Sequence, residues 1–114
     1  MALADSSPPR AVLWDLDGTL ADSMAQHWLS WQEALGAVGL SVTEAQFRST
    51  FGQRNDAILR GWLGPDTDLE LIRRLGNDKE VRYREIIRAG GIEPLPGAAA
   101  WVERLHREGW RQAI

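Results

Sequence analysis

The sequence predicts an α/β protein: a parallel-sheet core, incomplete in this chain, that carries an inserted all-helical cap domain. Three features point there. The run Ala11-Val12-Leu13-Trp14 is wholly apolar, as suits a parallel strand covered on both faces. From Asp22 to Ala89 the apolar residues recur at helical spacing, with no convincing strand. After the stiff turn Glu93-Pro94-Leu95-Pro96-Gly97, a further helix leads into Trp110-Arg111-Gln112-Ala113-Ile114, which reads as the opening of a second strand.

Residues 1–9 are small and polar and close on Pro8-Pro9, which predicts a flexible tail. The first strand is expected from about Arg10 to Asp15. It ends in Asp15-Leu16-Asp17-Gly18-Thr19-Leu20. Both acids thus stand at the carboxyl end of a strand, where open α/β sheets bind ligands. Gly18 lets the backbone turn sharply and a ligand come close. Asp17-Gly18 could instead close a hairpin, but the residues after Gly18 lead into a helical pattern rather than an alternating strand.

The cap domain is expected over residues 22–91, with the first strand and its loop at 10–21 and the return to the core at 92–114. Met24, Trp28, Trp31, Leu35 and Val38 share one helical face. Asp22 or Ser23 can cap that helix and Gly39 can stop it. Thr43-Glu44-Ala45-Gln46 is a capping box, opening a short helix to about Thr50. A second short helix follows Phe51-Gly52, with Asn55 as its cap, Ile58, Leu59, Trp62 and Leu63 on its apolar face, and Gly64-Pro65 at its end. Asp68 can cap a longer segment bearing Leu71, Ile72 and Leu75, which Gly76-Asn77 could kink or divide. The pattern resumes with Val81, Tyr83, Ile86 and Ile87 and ends at Gly90-Gly91. In the last helix, from Ala98 to about Glu108, Trp101, Val102 and Leu105 are expected to face inward.

A strand, helices, a turn, a helix and a strand make a crossover unit whose second strand lies parallel to the first. Two parallel strands need cover on both faces and neighbours on their edges. The chain is therefore expected to be a fragment, or to have its sheet completed by other polypeptide. The net charge of -3 lacks the basic surface a nucleic-acid partner requires. No run is long and apolar enough for a membrane span, and no signal-peptide pattern opens the chain. Without cysteine neither a disulfide framework nor a thiolate metal site can form. A soluble cytoplasmic protein is the expectation, with most of its six tryptophans in the core.

From Arg10 to Ile114 the order of these pieces resembles the haloacid dehalogenase-like hydrolase superfamily, in its helical-cap branch similar to phosphoglycolate phosphatase and β-phosphoglucomutase. Asp15-Leu16-Asp17-Gly18-Thr19-Leu20 matches the family's first motif in full, and Pro94-Leu95-Pro96-Gly97 is typical of the branch. The core is then Rossmann-like. The resemblance implies that Asp15 is the nucleophile attacking a phosphate monoester, giving an aspartyl-phosphate. It implies that Mg²⁺ is held by the Asp15 side chain and the Asp17 carbonyl. Asp17 would be the general acid and base, with a raised pKa that keeps it protonated. Leu16, Asp17 and Gly18 would cradle the phosphoryl oxygens.

An aspartate at position 17 suits phosphatases and phosphate-shifting mutases. The resemblance thus implies a Mg²⁺-dependent phosphatase acting on a small phosphorylated metabolite. A β-phosphoglucomutase-like sugar-phosphate mutase is the alternative, and a non-catalytic fragment a third. The family's later motifs, a Ser or Thr, a lysine and an acidic pair, are not found here, so the chain alone is expected to be nearly inactive. Substrate choice in this branch lies in the cap, where His27, Trp31, Gln53, Arg54, Asn55 and Lys79 are the candidates. His27, Trp31, Gly52 and Lys79 are compatible with the mutase pattern, while the arginine register around Arg54 is off by one. For Arg54 and Lys79 a solvated surface charge or helix cap is the competing role.

Overall fold

The computed structural model describes residues 8–114. Most of the tail expected over residues 1–9 therefore lies outside the described residues. Its last two, Pro8 and Pro9, are exposed and take no regular structure. The chain folds into two compact units: one runs to Asp22 and resumes at Pro94, and the other is Ser23–Glu93.

In the first unit, strand β1 (Ala11–Leu13) pairs in parallel with the last strand of the chain (Arg111–Ala113), Val12 opposite Gln112. The pairing extends at both ends, since Trp14 N–H donates to the Ala113 carbonyl at 2.8 Å and Arg111 N–H to that of Arg10 at 3.0 Å. Side chains brace the same pair. Trp14 Nε1 donates to Gln112 Oε1 at 2.8 Å, and Gln112 Nε2 donates to the Val102 carbonyl at 2.9 Å.

The strands are shorter than expected and are not covered on both faces. Leu13 is 84% exposed and Ile114 80%. Sequence reading also missed two short strands, β2 (Ala21–Asp22) and β3 (Glu93–Pro94), which pair with each other. Two residues are too few for an alternating pattern to register.

The turn before the last helix is legible residue by residue. Ala98 N–H donates to the Leu95 carbonyl at 3.0 Å, and Gly97 between them has φ +84° and ψ −11°. That is a type II turn, with Pro96 fixing the first central position and glycine taking the positive φ of the second. Of the helix it opens, Ala98–Arg107, no residue is buried, and Trp101 is 54% exposed rather than inward.

The second unit holds four helices: α1 (Met24–Gly36), α2 (Glu44–Thr50), α3 (Asn55–Leu63) and α4 (Leu69–Gly90). Gly39 ends the first as expected. Leu40 N–H reaches back to the Leu35 carbonyl at 2.9 Å and Gly39 N–H to that of Gly36 at 3.1 Å, with φ +74° at Gly39, the paired bonds of a Schellman stop. Val38 lies beyond the helix within this stop and is exposed, so it leaves the apolar stripe.

Thr43 and Gln46 form the expected reciprocal box. Asn55 is not the cap of α3. Arg54 holds that place without a side-chain bond, and Asn55 is the first helical residue. Helix α4 is capped by Asp68, whose Oδ1 accepts from Glu70 N–H at 3.4 Å. It runs through Gly76 without a break, because a glycine costs a helix only about 1 kcal/mol, less than α4 gains by burying Ile72 and Leu75.

Trp31, Leu35, Phe47, Ile58, Leu59, Ile72 and Leu75 form the core of this unit. Trp28 stacks on Phe47 with ring centroids 5.1 Å apart, and Trp62 meets Trp31 edge-on at 5.1 Å. Of the six tryptophans only Trp31 is fully buried. Trp28 and Trp62 pack at the margin of this core, partly wet, while Trp14, Trp101 and Trp110 belong to the first unit.

Candidate functional site

In the first unit the two acids follow β1 directly. Asp15 is exposed and Asp17 half-buried. The loop that carries them is drawn around one carbonyl: Leu16 O accepts from the N–H groups of Thr19 (3.2 Å), Leu20 (2.9 Å) and Ala21 (3.0 Å). Gly18, with φ +75°, donates its N–H to the Ala21 carbonyl at 3.0 Å. Such a tight turn needs the positive φ that glycine adopts without strain. Leu20 O in turn accepts from Leu95 N–H at 2.9 Å, fixing the far end of the loop to the proline-rich turn. The acids therefore sit on backbone held from both sides.

Carboxylates and backbone carbonyls are hard oxygen donors that suit a divalent cation such as Mg²⁺. Among the described residues no group of three or more His, Cys, Asp or Glu side chains stands ready to hold a metal. The donors here thus fit Mg²⁺ as part of a shell, with other oxygens completing it.

In the second unit, four of the six cap candidates come together. Lys79 lies on the apolar side of α4 and is only 2% exposed. Its ammonium stands 2.9 Å from His27 Nδ1 and 2.8 Å from Glu80 Oε1. It also lies over the rings of Tyr83 (5.1 Å) and Trp31 (5.5 Å), within range of cation–π attraction. The His27 ring stacks on Tyr83 at 4.1 Å with 5° between planes and meets Phe51 edge-on at 5.8 Å. Asn55 Nδ2 donates to Glu80 Oε1 at 2.9 Å.

Gln53 and Arg54 stay outside this cluster. Both are exposed, and Arg54 pairs loosely with Asp56 at 3.4 Å. Sequence reading missed Glu80, Tyr83 and Phe51 as members. A signal for them existed. Ile72, Leu75, Lys79 and Ile86 keep the spacing of one helical face. A lysine on such a face must find a counter-charge within the fold.

Two effects oppose each other at Glu80. Partial burial pushes its carboxyl up. Hydrogen bonds from Lys79 and Asn55, then the positive charges of Lys79 and of His27 when protonated, outweigh burial and hold it below the ordinary carboxylate value. A carboxyl held lower in the folded state adds stability above its unfolded value near about 4.3, and that stability is lost as pH falls through the folded value. Glu80→Gln should therefore flatten the acid limb of unfolding. Wild type and variant, compared by circular dichroism from neutral pH downward, should differ most above about pH 4.3 and converge in stronger acid.

A family model described as hydrolase, haloacid dehalogenase-like hydrolase, matches residues 9–114. The chain belongs to the haloacid dehalogenase-like hydrolases. A relative within reach of sequence is Protein CbbY of Rhodobacter capsulatus, 33% identical over 111 residues, covering 92% of this chain and 49% of that protein. Among solved structures, a hydrolase from Pseudomonas syringae is 28% identical with a TM-score of 0.79, covering 92% of this chain and 48% of that one. CbbY from Rhodobacter sphaeroides, solved in complex with phosphate, is 23% identical with a TM-score of 0.76, covering 94% of this chain and 50% of that one. The chain spans about half the length of these relatives. The haloacid dehalogenase-like fold, a parallel α/β core with a helical cap, accounts for the incomplete sheet and the helical unit between its strands. No helix among the described residues is long and apolar enough to cross a membrane.

Proposed function

We propose that the protein containing this chain is a Mg²⁺-dependent phosphatase of small phosphorylated metabolites, working through an aspartyl-phosphate on Asp15. The observation that carries this reading is the Asp15-Leu16-Asp17-Gly18 loop itself, two carboxyl groups just past a parallel strand on a backbone tied down at both ends. Family membership and a neighbour of the same fold solved with phosphate support it.

In this mechanism the Asp15 carboxylate attacks phosphorus and the P–O bond to the alcohol breaks. Asp17, held protonated, gives its proton to the departing oxygen. As a carboxylate it then takes a proton from the water that attacks the phosphoenzyme, freeing phosphate and Asp15. Backbone N–H groups of Leu16 and Asp17 hold the phosphoryl oxygens; the N–H of Gly18, also expected there, is instead taken by the Ala21 carbonyl. The Asp15 carboxylate and the Asp17 carbonyl would hold Mg²⁺, which supplies positive charge to offset repulsion between carboxylate and phosphate.

In the intact protein, further polypeptide would cover the exposed Leu13 and supply the remaining phosphate and metal contacts. The helical unit would act as the cap that selects substrate, in a cytoplasmic protein without nucleic-acid or membrane partners. Asp17→Asn tests the acid–base role. In the intact protein kcat for a phosphate monoester should fall by about 10²- to 10⁴-fold, with less loss for esters whose leaving groups need no proton. Equal loss for every leaving group would remove Asp17 from that role.

A further inference from the structure

Lys79 is the one buried charged side chain among the described residues, and its charge is answered from within the helical unit. Its ammonium pairs with Glu80 Oε1 at 2.8 Å, the two side chains being 3% and 38% exposed. The same oxygen accepts from Asn55 Nδ2 of α3 at 2.9 Å, which fixes the carboxylate against the ammonium. Despite partial burial, the bonds from Lys79 and Asn55 hold the Glu80 carboxyl below its ordinary value, so the negative charge is present at neutral pH. The pair is lopsided. Water, or a ligand, reaches it on the Glu80 side.

A buried ammonium without a counter-charge is costly and would take up an anion. Here the chain supplies that anion itself. We propose that Glu80 is a specificity-determining residue: by occupying the Lys79 ammonium with its own carboxylate, it turns the helical unit away from substrates with a second anionic group and toward monophosphates whose remaining part is neutral and hydroxylated. This assignment rests on the proposed function above, in which the helical unit selects substrate.

A carboxylate or second phosphate arriving at the pair meets the Glu80 charge first. To reach the ammonium it has to displace Glu80 from two donors, against like-charge repulsion. A hydroxyl group meets no such opposition. Both donors go to Oε1, so that among the described residues Oε2 has no donor and can accept from a ligand hydroxyl. The exposed Arg54 gives no buried alternative for an anion. Its side chain is 89% exposed and lies 3.4 Å from Asp56, and a solvated pair of that kind contributes little.

Two variants of the intact protein test this. Glu80→Ala removes the carboxylate and leaves room for another. At constant ionic strength, acetate should raise the thermal midpoint of Glu80→Ala more than that of wild type, and the Lys79→Met/Glu80→Ala double variant should lose the difference. Glu80→Gln keeps the size of the side chain and an accepting oxygen but removes the charge. In it, kcat/KM for the monophosphate of a hydroxy acid, relative to that of a neutral polyol of equal length, should rise by about ten- to a hundredfold over wild type.

If either variant fails to fold, the other decides. An unchanged substrate ratio in folded Glu80→Gln would overturn the proposal, as would a wild type that already prefers the carboxylate-bearing ester. Absence of any acetate dependence in folded Glu80→Ala would overturn it as well. Turnover that survives Asp15→Asn would count against the proposed function instead, since this assignment is read from the ratio between substrates and from acetate.

Discussion

Asp15→Asn in the intact protein should abolish phosphate-ester hydrolysis, with kcat down by at least about 10⁴-fold. The amide keeps the size and most of the hydrogen-bonding capacity of the side chain, so folding should be unaffected at this exposed position. What it loses is the negative oxygen able to form a bond to phosphorus, together with the charge that would hold the metal. No neighbour on the loop can take over. Leu16 and Gly18 offer only backbone, and Asp17 is assigned to proton transfer. Steady-state release of inorganic phosphate from a panel of small monoesters provides the measurement. Activity retained within a factor of ten would show that another group attacks phosphorus.

The largest effect on stability should come from Trp31→Ala. Trp31 is 1% exposed at the centre of the helical unit, in edge contact with Trp62 and beneath the Lys79 ammonium. Truncating a buried aromatic side chain to alanine costs about 3–5 kcal/mol through lost transfer energy and the cavity left behind. That is a large share of the roughly 5–15 kcal/mol available to a whole domain. Val81→Ala, on an exposed position of α4, should stay within about 0.5 kcal/mol of wild type. Urea unfolding of the three proteins separates the cases. Similar midpoints for Trp31→Ala and Val81→Ala would mean that the helical unit does not depend on the core described for it.

What could be read from the sequence was what short stretches decide by themselves. The Thr43–Gln46 box, the stop at Gly39, the turn through Pro96-Gly97 and the parallel return of the last strand each follow from a few adjacent residues. The acids of the first loop were legible for the same reason, since Asp15 and Asp17 belong to one strand end. Where sequence reading failed, a partner distant in the chain decided the outcome. Asn55 has the chemistry of a helix cap, but its amide is taken by Glu80 on α4. Gly76 has the local character of a break, but α4 keeps going because Leu75 and Lys79 on either side of it are both buried.

Two further cases show the limit of periodicity. Val38 fits the spacing of α1 but falls after the helix has stopped. Trp101 fits an inward face, yet no described element covers it and the Arg104 guanidinium lies over its ring at 5.3 Å. Lys79 is the opposite case, a charged residue that the period correctly places among apolar neighbours. Which groups would meet it, His27 and Glu80, became visible only once α1 and α4 lay side by side.

The central claim is a covalent one, that phosphorus becomes bonded to the Asp15 carboxylate. A direct test mixes the intact protein with a phosphate monoester and Mg²⁺, quenches within the first turnover and reduces with borohydride. An acyl phosphate is converted to an alcohol by that treatment while free carboxylates survive, so peptide mass spectrometry identifies the modified side chain. Homoserine at position 15, and at no other acid, is the expected result. A quenched enzyme that hydrolyses the ester but yields unmodified Asp15, or carries the reduced residue elsewhere, would contradict it.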